Sequence, residues 1–195
     1  MSIEKIALFG GTFDPIHLGH LKMARVAQKE LQLSQVIFIP NKKSPLKNQF
    51  PVVEPKNRLK MLELALKDDP QFFVSNYEVN KATIDYSYQT ILYFKEKFPK
   101  SQLYWLLGAD QVKQLHLWFE INKMSHLVHF VAGERNGIRN NNPLLPFKIE
   151  FLNFDPIEIN ATEVRKKINQ KDYLKTKIPQ VVMEYIMENK LYLKK

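Results

Sequence analysis

Short apolar runs alternate with amphipathic stretches along the chain. The apolar runs have the length of buried strands, and the amphipathic stretches repeat apolar residues every three or four positions, as helices do. The pattern predicts strands at residues 5–9, 36–39, 72–74, 103–107, 127–131 and 147–152. It predicts helices at residues 18–31, 58–67, 88–98, 111–122, 162–168 and 179–189. Such alternation predicts an α/β fold with a mainly parallel sheet and right-handed crossovers.

The fold class we expect is therefore Rossmann-like and doubly wound, with helices on both faces of the sheet. At ~150 residues per domain, 195 residues predict a single domain over 1–195, with a helical C-terminal part at about 160–195. In such folds ligands bind beyond the carboxyl ends of the strands, near the switch point. That rule directs attention to the residues after Phe9, Pro40, Leu107 and Val131. Two long loops, 41–55 and 133–146, also leave this edge, and loops of that length are usually lids or connectors.

Composition narrows the class of protein. The chain has no cysteine, which excludes disulfides, thiolate metal sites, iron–sulfur clusters and thiol nucleophiles. No basic segment followed by an apolar segment opens the chain, and no apolar run approaches the ~20 residues that cross a bilayer. We expect a soluble cytoplasmic protein without a membrane partner.

The net charge is strongly positive. Lys and Arg number 29 against 20 Asp and Glu, which gives +9. A basic protein of this kind often handles polyanions, either nucleic acid or phosphorylated small molecules. Because the basic residues are spread along the chain, charge alone does not distinguish these partners from a solvated basic surface.

The segment from Gly10 to His20, GGTFDPIHLGH, is the main chemical feature. Two glycines permit a sharp turn and close approach of a ligand, and the following helix offers backbone amides to phosphate. His17 and His20 are three residues apart, so a helical turn directs both imidazoles to one spot. Gly19 leaves room for a flat group such as a purine.

Each of these residues also has a plainer interpretation. The histidines alone could be polar residues at a helix start. Asp14 with both histidines could bind a metal, but the adjacent proline and the lack of cysteine disfavour that, and Asp14 fits equally well as a residue that fixes the turn. The chain lacks the P-loop, the dinucleotide-binding G-x-G-x-x-G and the nucleophile elbow G-x-S-x-G.

Residues 11–20 resemble the signature of the nucleotidylyltransferases with an H-x-G-H motif, and the resemblance is closest to the nicotinate mononucleotide adenylyltransferases. It continues through LGAD at 107–110, Trp118, residues 130–135 and INATEVR at 159–165, with DYSYQT at 85–90 where the family has S-Y-T-x-D-T. The activity implied is transfer of AMP from ATP to nicotinate mononucleotide, giving the deamido dinucleotide and pyrophosphate. The chain has Asn160-Ala161 where the family has Ser-Ser, and this difference concerns how phosphate is held. It also departs from the family pattern at Asp85 and Gln89, which concerns how the pyridine carboxylate is held.

The resemblance also implies roles for individual residues. The catalytic residues would be His17, His20 and Arg165, with Arg165 on the outgoing pyrophosphate. ATP would be bound by Gly10, Gly11, Thr12, Phe13, Gly19, Gly108, Asp110 and Thr162, with Asp110 on the ribose and Thr162 capping a helix. Nicotinate mononucleotide would be bound by Lys47, Tyr86, Ser87, Trp118, Phe119 and Arg135, with Trp118 stacked on the pyridine ring. Mg²⁺ would travel with the ATP phosphates, without a metal site on the protein.

Several alternatives remain open. The acceptor could instead be nicotinamide mononucleotide, phosphopantetheine or a sugar or polyol phosphate. A class I aminoacyl-tRNA synthetase fragment shares H-x-G-H, and 123–126 partly mimics its second signature, but the chain lacks room for the other domains. The third alternative is a basic nucleic-acid-binding protein, although our prediction includes no nucleic-acid partner. Three of the candidate residues also have structural alternatives: Trp118 could belong to the core, Asp110 could cap a helix, and Arg165 could be a surface residue. The sequence leaves open whether the chain forms a homo-oligomer.

Overall fold

Six strands form one sheet in the computed structural model, which describes residues 3–46, 50–82, 86–133, 144–153 and 157–193. The strands are β1 Lys5–Gly11, β2 Gln35–Pro40, β3 Phe72–Val74, β4 Gln102–Leu107, β5 His129–Gly133 and β6 Glu150–Leu152. Their order is β3-β2-β1-β4-β5-β6, and all five neighbouring pairs are parallel. The predicted doubly wound α/β fold is confirmed.

The helices within the described residues are mostly short; five of them lie between strands, and three follow β6. They are α1 Leu18–Leu31, α2 Pro55–Leu66, α3 Ser87–Lys97, α4 Ala109–Val112, α5 Ile121–Ser125, α6 Ala161–Lys166, α7 Lys171–Lys175 and α8 Gln180–Glu188. None of the helices in the part of the chain described here is long and apolar enough to cross a membrane.

Both faces of the sheet are buried, because successive side chains of a strand point to opposite faces. On one face Ala7 and Phe9 of β1 join a core that includes buried residues of α1, α2, α6, α7 and α8. On the other face Ile6 and Leu8 join a second core with α3, α4 and α5. The helical C-terminal part therefore packs on the same sheet as the rest of the chain.

The predicted helix over 111–122 is wrong. The chain instead forms α4, a 3₁₀ turn at Leu115–Leu117 and then α5, with Glu120 in the left-handed conformation at φ 57° between them. Val112, Leu115 and Met124 still pack into the core, so the apolar spacing is satisfied by three short pieces. The break leaves Trp118 outside any helix.

Other helix and strand boundaries differ from the predicted ones by a few residues. β5 begins at His129 and extends to Gly133, β6 is limited to Glu150–Leu152, and α2 starts already at Pro55. The short helix α7 was missed because its five residues span little more than one helical turn. The expected loop at 133–146 lies largely outside the described residues.

The switch point of the sheet lies between β1 and β4. From β1 the sheet continues to β2 and β3 on one side and to β4, β5 and β6 on the other. The carboxyl ends of β1 and β4, at Gly11 and Leu107, are therefore where this topology places a ligand.

Candidate active site

The turn after β1 is tightly packed at its two glycines. A Cβ on Gly10 would lie 2.7 Å from Cζ2 of Trp105, and one on Gly11 would lie 2.9 Å from Cζ of Phe13. Any larger residue at these positions would displace an aromatic side chain. The glycines thus permit close contact with protein rings as well as the sharp turn that the sequence predicts.

Phe13 follows the turn in the left-handed region, at φ 47°, and its side chain is buried. Its ring contacts those of Phe9, Phe38 and His20, with centroid separations of 5.5, 5.6 and 5.0 Å. The side chain is therefore occupied by the core. A contact of Phe13 with ATP, as the resemblance implies, would come from its backbone.

The two histidines hold the start of α1 together. His17 is the N-cap, and its Nδ1 accepts a hydrogen bond from the backbone N–H of His20 at 3.3 Å. In return Nδ1 of His20 accepts from the backbone N–H of His17, also at 3.3 Å. This reciprocal arrangement is a capping box, with imidazoles in place of the usual hydroxyl and carboxylate.

The capping box also fixes the chemistry of both rings. The imidazoles stack with centroids 3.5 Å apart and planes 15° apart. Because each Nδ1 accepts a hydrogen bond, the proton of each neutral ring resides on Nε2. The structure therefore presents two adjacent Nε2–H groups, both of which are hydrogen-bond donors suited to phosphate oxygens.

Burial keeps these rings neutral. Desolvation lowers the pKa of His17 from 6.5 to about 4, although a backbone hydrogen bond acts in the opposite direction. Burial and, second, the nearby His17 lower the pKa of His20 well below its usual range. Both pKa shifts have the sign expected when a low-dielectric environment disfavours the charged imidazolium.

The space beside Gly19 is occupied by protein. A Cβ there would lie 2.8 Å from Cγ2 of Ile159 and 3.2 Å from Nδ1 of His17. The expectation that Gly19 leaves room for a purine needs correction on this side, because Ile159 fills the room. Glycine here lets the segment before α6 pack against the start of α1.

Asp14 anchors the turn, as its alternative interpretation from the sequence suggested. Oδ2 accepts a hydrogen bond from the backbone N–H of Val52 at 2.7 Å, and Oδ1 accepts from the hydroxyl of Tyr192 at 2.8 Å. Arg165 donates from Nη1 to the backbone carbonyl of Asp14 at 2.6 Å. Asp14 is therefore engaged in holding the turn, which disfavours a metal site built from Asp14 and the two histidines.

The cap of α6 is Asn160, so the expectation that Thr162 caps this helix is wrong. Oδ1 of Asn160 accepts from the backbone N–H of Glu163 at 2.8 Å. Asn is a favoured N-cap because its short side chain reaches the free amides of the first turn. The hydroxyl of Thr162 instead accepts from Nη2 of Arg165 at 3.1 Å, so Arg165 links α6 to the turn after β1.

Gly108 and Asp110 lie at the carboxyl end of β4, beside the switch point. Gly108 is the N-cap of α4, and its backbone N–H donates to Oε1 of Gln111 at 3.0 Å. The alternative in which Asp110 caps the helix is therefore wrong: Asp110 is exposed in the first turn of α4. That position leaves its carboxylate accessible from solvent.

A group of aromatic side chains lies on the other side of the sheet. Tyr86, the N-cap of α3, and Phe119 have ring centroids 4.9 Å apart, and both are exposed. Ser87 is the first residue of α3. Trp118 is partly buried and meets Trp105 edge to face, with centroids 6.2 Å apart.

The tertiary structure thus brings Tyr86, Ser87, Trp118 and Phe119 into one region, as the resemblance implies, and Trp105 connects that region to Gly10. Lys47 and Arg135 lie outside the described residues. The sequence patterns assign no functional role to Arg58 or Tyr192. An arginine within the apolar pattern of a helix was the available signal for Arg58, whereas nothing local marks Tyr192.

The sheet order and the histidine-capped helix at its switch point define a nucleotide-binding α/β protein. A family model described as Cytidylyltransferase-like matches residues 8–167. A curated relative from Bacillus subtilis (strain 168), named nicotinate-nucleotide adenylyltransferase, is 32% identical over 193 residues, covering 97% of this chain and 99% of the relative. The "Probable nicotinate-nucleotide adenylyltransferase" of Methylacidiphilum infernorum (isolate V4) is 34% identical over 193 residues, covering 97% and 92%.

The chain belongs to the cytidylyltransferase-like family, and within it to the nicotinate-nucleotide adenylyltransferases. Solved structures show the same fold at lower sequence identity. The Plasmodium falciparum nicotinic acid mononucleotide adenylyltransferase complexed with NaAD matches with a TM-score of 0.80 at 20% identity, covering 97% of both chains.

Proposed function

We propose that the protein transfers AMP from ATP to nicotinate mononucleotide, releasing pyrophosphate and forming the deamido dinucleotide. The observation that supports this most directly is the reciprocal capping box of His17 and His20, which fixes two neutral Nε2–H donors beside the turn at the end of β1. Relatives that cover nearly the whole chain carry the name of this activity.

The reaction needs positioning more than covalent chemistry. A phosphate oxygen of the mononucleotide forms a bond to the α-phosphorus of ATP, and the bond from that phosphorus to the pyrophosphate oxygen breaks. Negative charge develops on the leaving group, and fixed donors stabilise it without reorganisation. Neutral imidazoles suit this role because they bring donors into a dry site without the desolvation cost of a charge.

Arg165 supplies the positive charge for the pyrophosphate. Its Nη1 and Nη2 groups are held by the Asp14 carbonyl and by Thr162, so the guanidinium is fixed close to the turn. A guanidinium has five N–H donors, so two such bonds leave others for phosphate oxygens. Gly108 and Asp110 at the end of β4 are assigned to the adenosine, with the exposed carboxylate of Asp110 on the ribose hydroxyls.

The mononucleotide is assigned to the aromatic region. Trp118 provides a face for the pyridine ring, while the backbone amides at Tyr86, Ser87 and Phe119 receive its carboxylate. Burial of exposed aromatic surface on binding favours association. Lys47 and Arg135 complete the proposal as groups for the mononucleotide phosphate.

Mg²⁺ is proposed to enter with ATP. Within residues 3–46, 50–82, 86–133, 144–153 and 157–193, no group of three or more His, Cys, Asp or Glu side chains is arranged to hold a metal. The phosphate oxygens of ATP are the hard ligands that Mg²⁺ prefers. Bound there, the ion would neutralise part of the phosphate charge.

The cellular location that we propose for the protein is the cytoplasm.

An acceptor panel tests the proposal. Purified protein is incubated with ATP, Mg²⁺ and one acceptor at a time, namely nicotinate mononucleotide, nicotinamide mononucleotide or 4′-phosphopantetheine, and both pyrophosphate and the adenylylated product are measured. We expect nicotinate mononucleotide to have the highest kcat/KM. A higher kcat/KM for either other acceptor would overturn the assignment of nicotinate mononucleotide as the substrate. Absence of product with every acceptor would overturn the proposed adenylyl-transfer activity.

A further inference from the structure

A phenol of the C-terminal segment contacts the turn after β1. The hydroxyl of Tyr192 donates to Oδ1 of Asp14 at 2.8 Å, across a separation of 178 residues. Burial and the carboxylate of Asp14 raise the pKa of Tyr192 well above its usual range, so the phenol remains a donor. The chain adopts left-handed conformations at Lys190 and Tyr192, with φ of 51° and 63°, where it turns back after α8.

A buried arginine holds the same turn through a separate hydrogen bond. Arg58 of α2 is fully buried, and its Nη1 donates to the backbone carbonyl of Thr12 at 2.7 Å. Among the described residues its Nε and Nη2 atoms have no hydrogen-bond partner. Burial lowers the pKa of Arg58, whereas the charge of Asp14 raises it, so the nearby carboxylate offsets part of the cost of burying the guanidinium.

These contacts fix both ends of a short stretch of backbone. Thr12 is held at its carbonyl and Asp14 at its carboxylate and carbonyl, and Phe13 between them is in the left-handed region. A non-glycine residue in that region is retained only where its surroundings enforce it. His17, the N-cap of α1, lies three residues after Asp14 and is hydrogen-bonded to His20. The position of the turn therefore sets the position of both imidazoles.

We propose that Tyr192 is a positioning residue for adenylyl transfer, holding Asp14 so that the turn, Arg165 and the imidazole pair are in place for ATP. The inference rests on the proposed function for its kinetic part. Tyr192 touches no reacting group; it acts through Asp14, whose carbonyl also receives Arg165.

The chain contains a matched control. The hydroxyl of Tyr185 in α8 donates to Oδ1 of Asn57 in α2 at 2.9 Å, so it also ties the C-terminal part to the body of the protein. That bond does not involve the turn after β1. Tyr192→Phe and Tyr185→Phe therefore each remove one phenol hydroxyl and keep the ring, and only the first removes a hydrogen bond to Asp14.

The test compares the two variants in kinetics, amide exchange and melting temperature. Each variant should lower Tm by about 2–4 °C, the amount that corresponds to one lost hydrogen bond. For Tyr192→Phe we expect kcat to fall about 5- to 20-fold, with the KM for nicotinate mononucleotide within about twofold of the parent. Amides of residues 11–17 should exchange faster in Tyr192→Phe. Neither kcat nor this exchange should change in Tyr185→Phe beyond about twofold.

Two outcomes overturn the inference: equal kcat in the two variants, or unchanged amide exchange at residues 11–17 in Tyr192→Phe. If the parent protein forms no product with nicotinate mononucleotide, the proposed function fails separately. The exchange comparison then still decides whether Tyr192 orders the turn, because it needs no substrate.

Discussion

The proposed ATP side and the proposed acceptor side of the site are built differently. On the ATP side Asp14, His17 and Arg58 are 3%, 7% and 0% exposed, and each makes a hydrogen bond that fixes the turn. On the acceptor side Tyr86 and Phe119 are 42% and 48% exposed and meet mainly each other. The first side is arranged before any nucleotide arrives, whereas the second presents open aromatic surface for a ligand to cover.

The contrast follows from the chemistry proposed for each side. Donors that stabilise developing charge are most effective when they do not reorganise, which requires burial and fixed partners. A stacking platform gains its binding energy by losing solvent contact, which requires exposure beforehand. Trp105 joins the two sides, since it touches the position of Gly10 and meets the ring of Trp118.

The largest expected effect comes from the prearranged side. His20→Ala removes one Nε2 donor and should lower kcat by ~10²–10³-fold, the range for loss of one transition-state donor. Steady-state kinetics with ATP and nicotinate mononucleotide provide the measurement.

His20→Gln is the matched variant for this substitution. Gln at the third helical position reaches back to the N-cap amide and so preserves the capping box, which His20→Ala breaks. His20→Gln should therefore have a higher Tm than His20→Ala, while its kcat stays low. If kcat of His20→Ala stays within a few-fold of the parent, the catalytic role of His20 is wrong.

On the acceptor side, Trp118→Ala should weaken binding of nicotinate mononucleotide by ~1–3 kcal/mol if the pyridine ring stacks as bases do on aromatic side chains. The KM for ATP should change little, and Trp118→Phe should recover most of the loss. Comparing the two KM values separates stacking from packing: equal losses for both substrates would mean that Trp118 serves mainly to pack against Trp105.

The smallest effect concerns pH and the buried imidazole of His17. Its pKa in the folded protein is about 4, below the usual 6.5, so the unfolded chain binds a proton between these values that the folded protein does not. Stability from this group is complete above pH 6.5 and is lost as pH falls, by about 1.4 kcal/mol at pH 5.5. Denaturant unfolding at pH 7 and pH 5.5 measures the difference.

His17→Asn keeps a good N-cap and removes the titrating ring, so it should reduce the loss of stability between these two pH values. His126→Asn, at an exposed histidine after α5, is the control. An identical pH dependence in the parent and in His17→Asn would contradict the burial of a neutral His17 ring.

Regular apolar patterns predicted most of the fold, because long periodic segments leave few alternatives for burial. β1, α1, β2 and β4 were found nearly to the residue, while the stretch around Trp118 failed. There the same apolar spacing fits either one helix or three short pieces, and only packing of Val112, Leu115 and Met124 into the core decides between them.

The segment GGTFDPIHLGH by itself indicated where to propose the site and which side chains could donate to phosphate, because spacing along a helix turn is a local property. The tertiary structure decided which imidazole nitrogen carries the proton, that Asn160 rather than Thr162 caps α6, and that Arg58 and Tyr192 hold the turn. The last two contacts join residues 46 and 178 positions apart, and no local pattern specifies such partners. The two caps join residues only three positions apart, but the sequence offers several side chains that could make each bond, and only the folded backbone selects one.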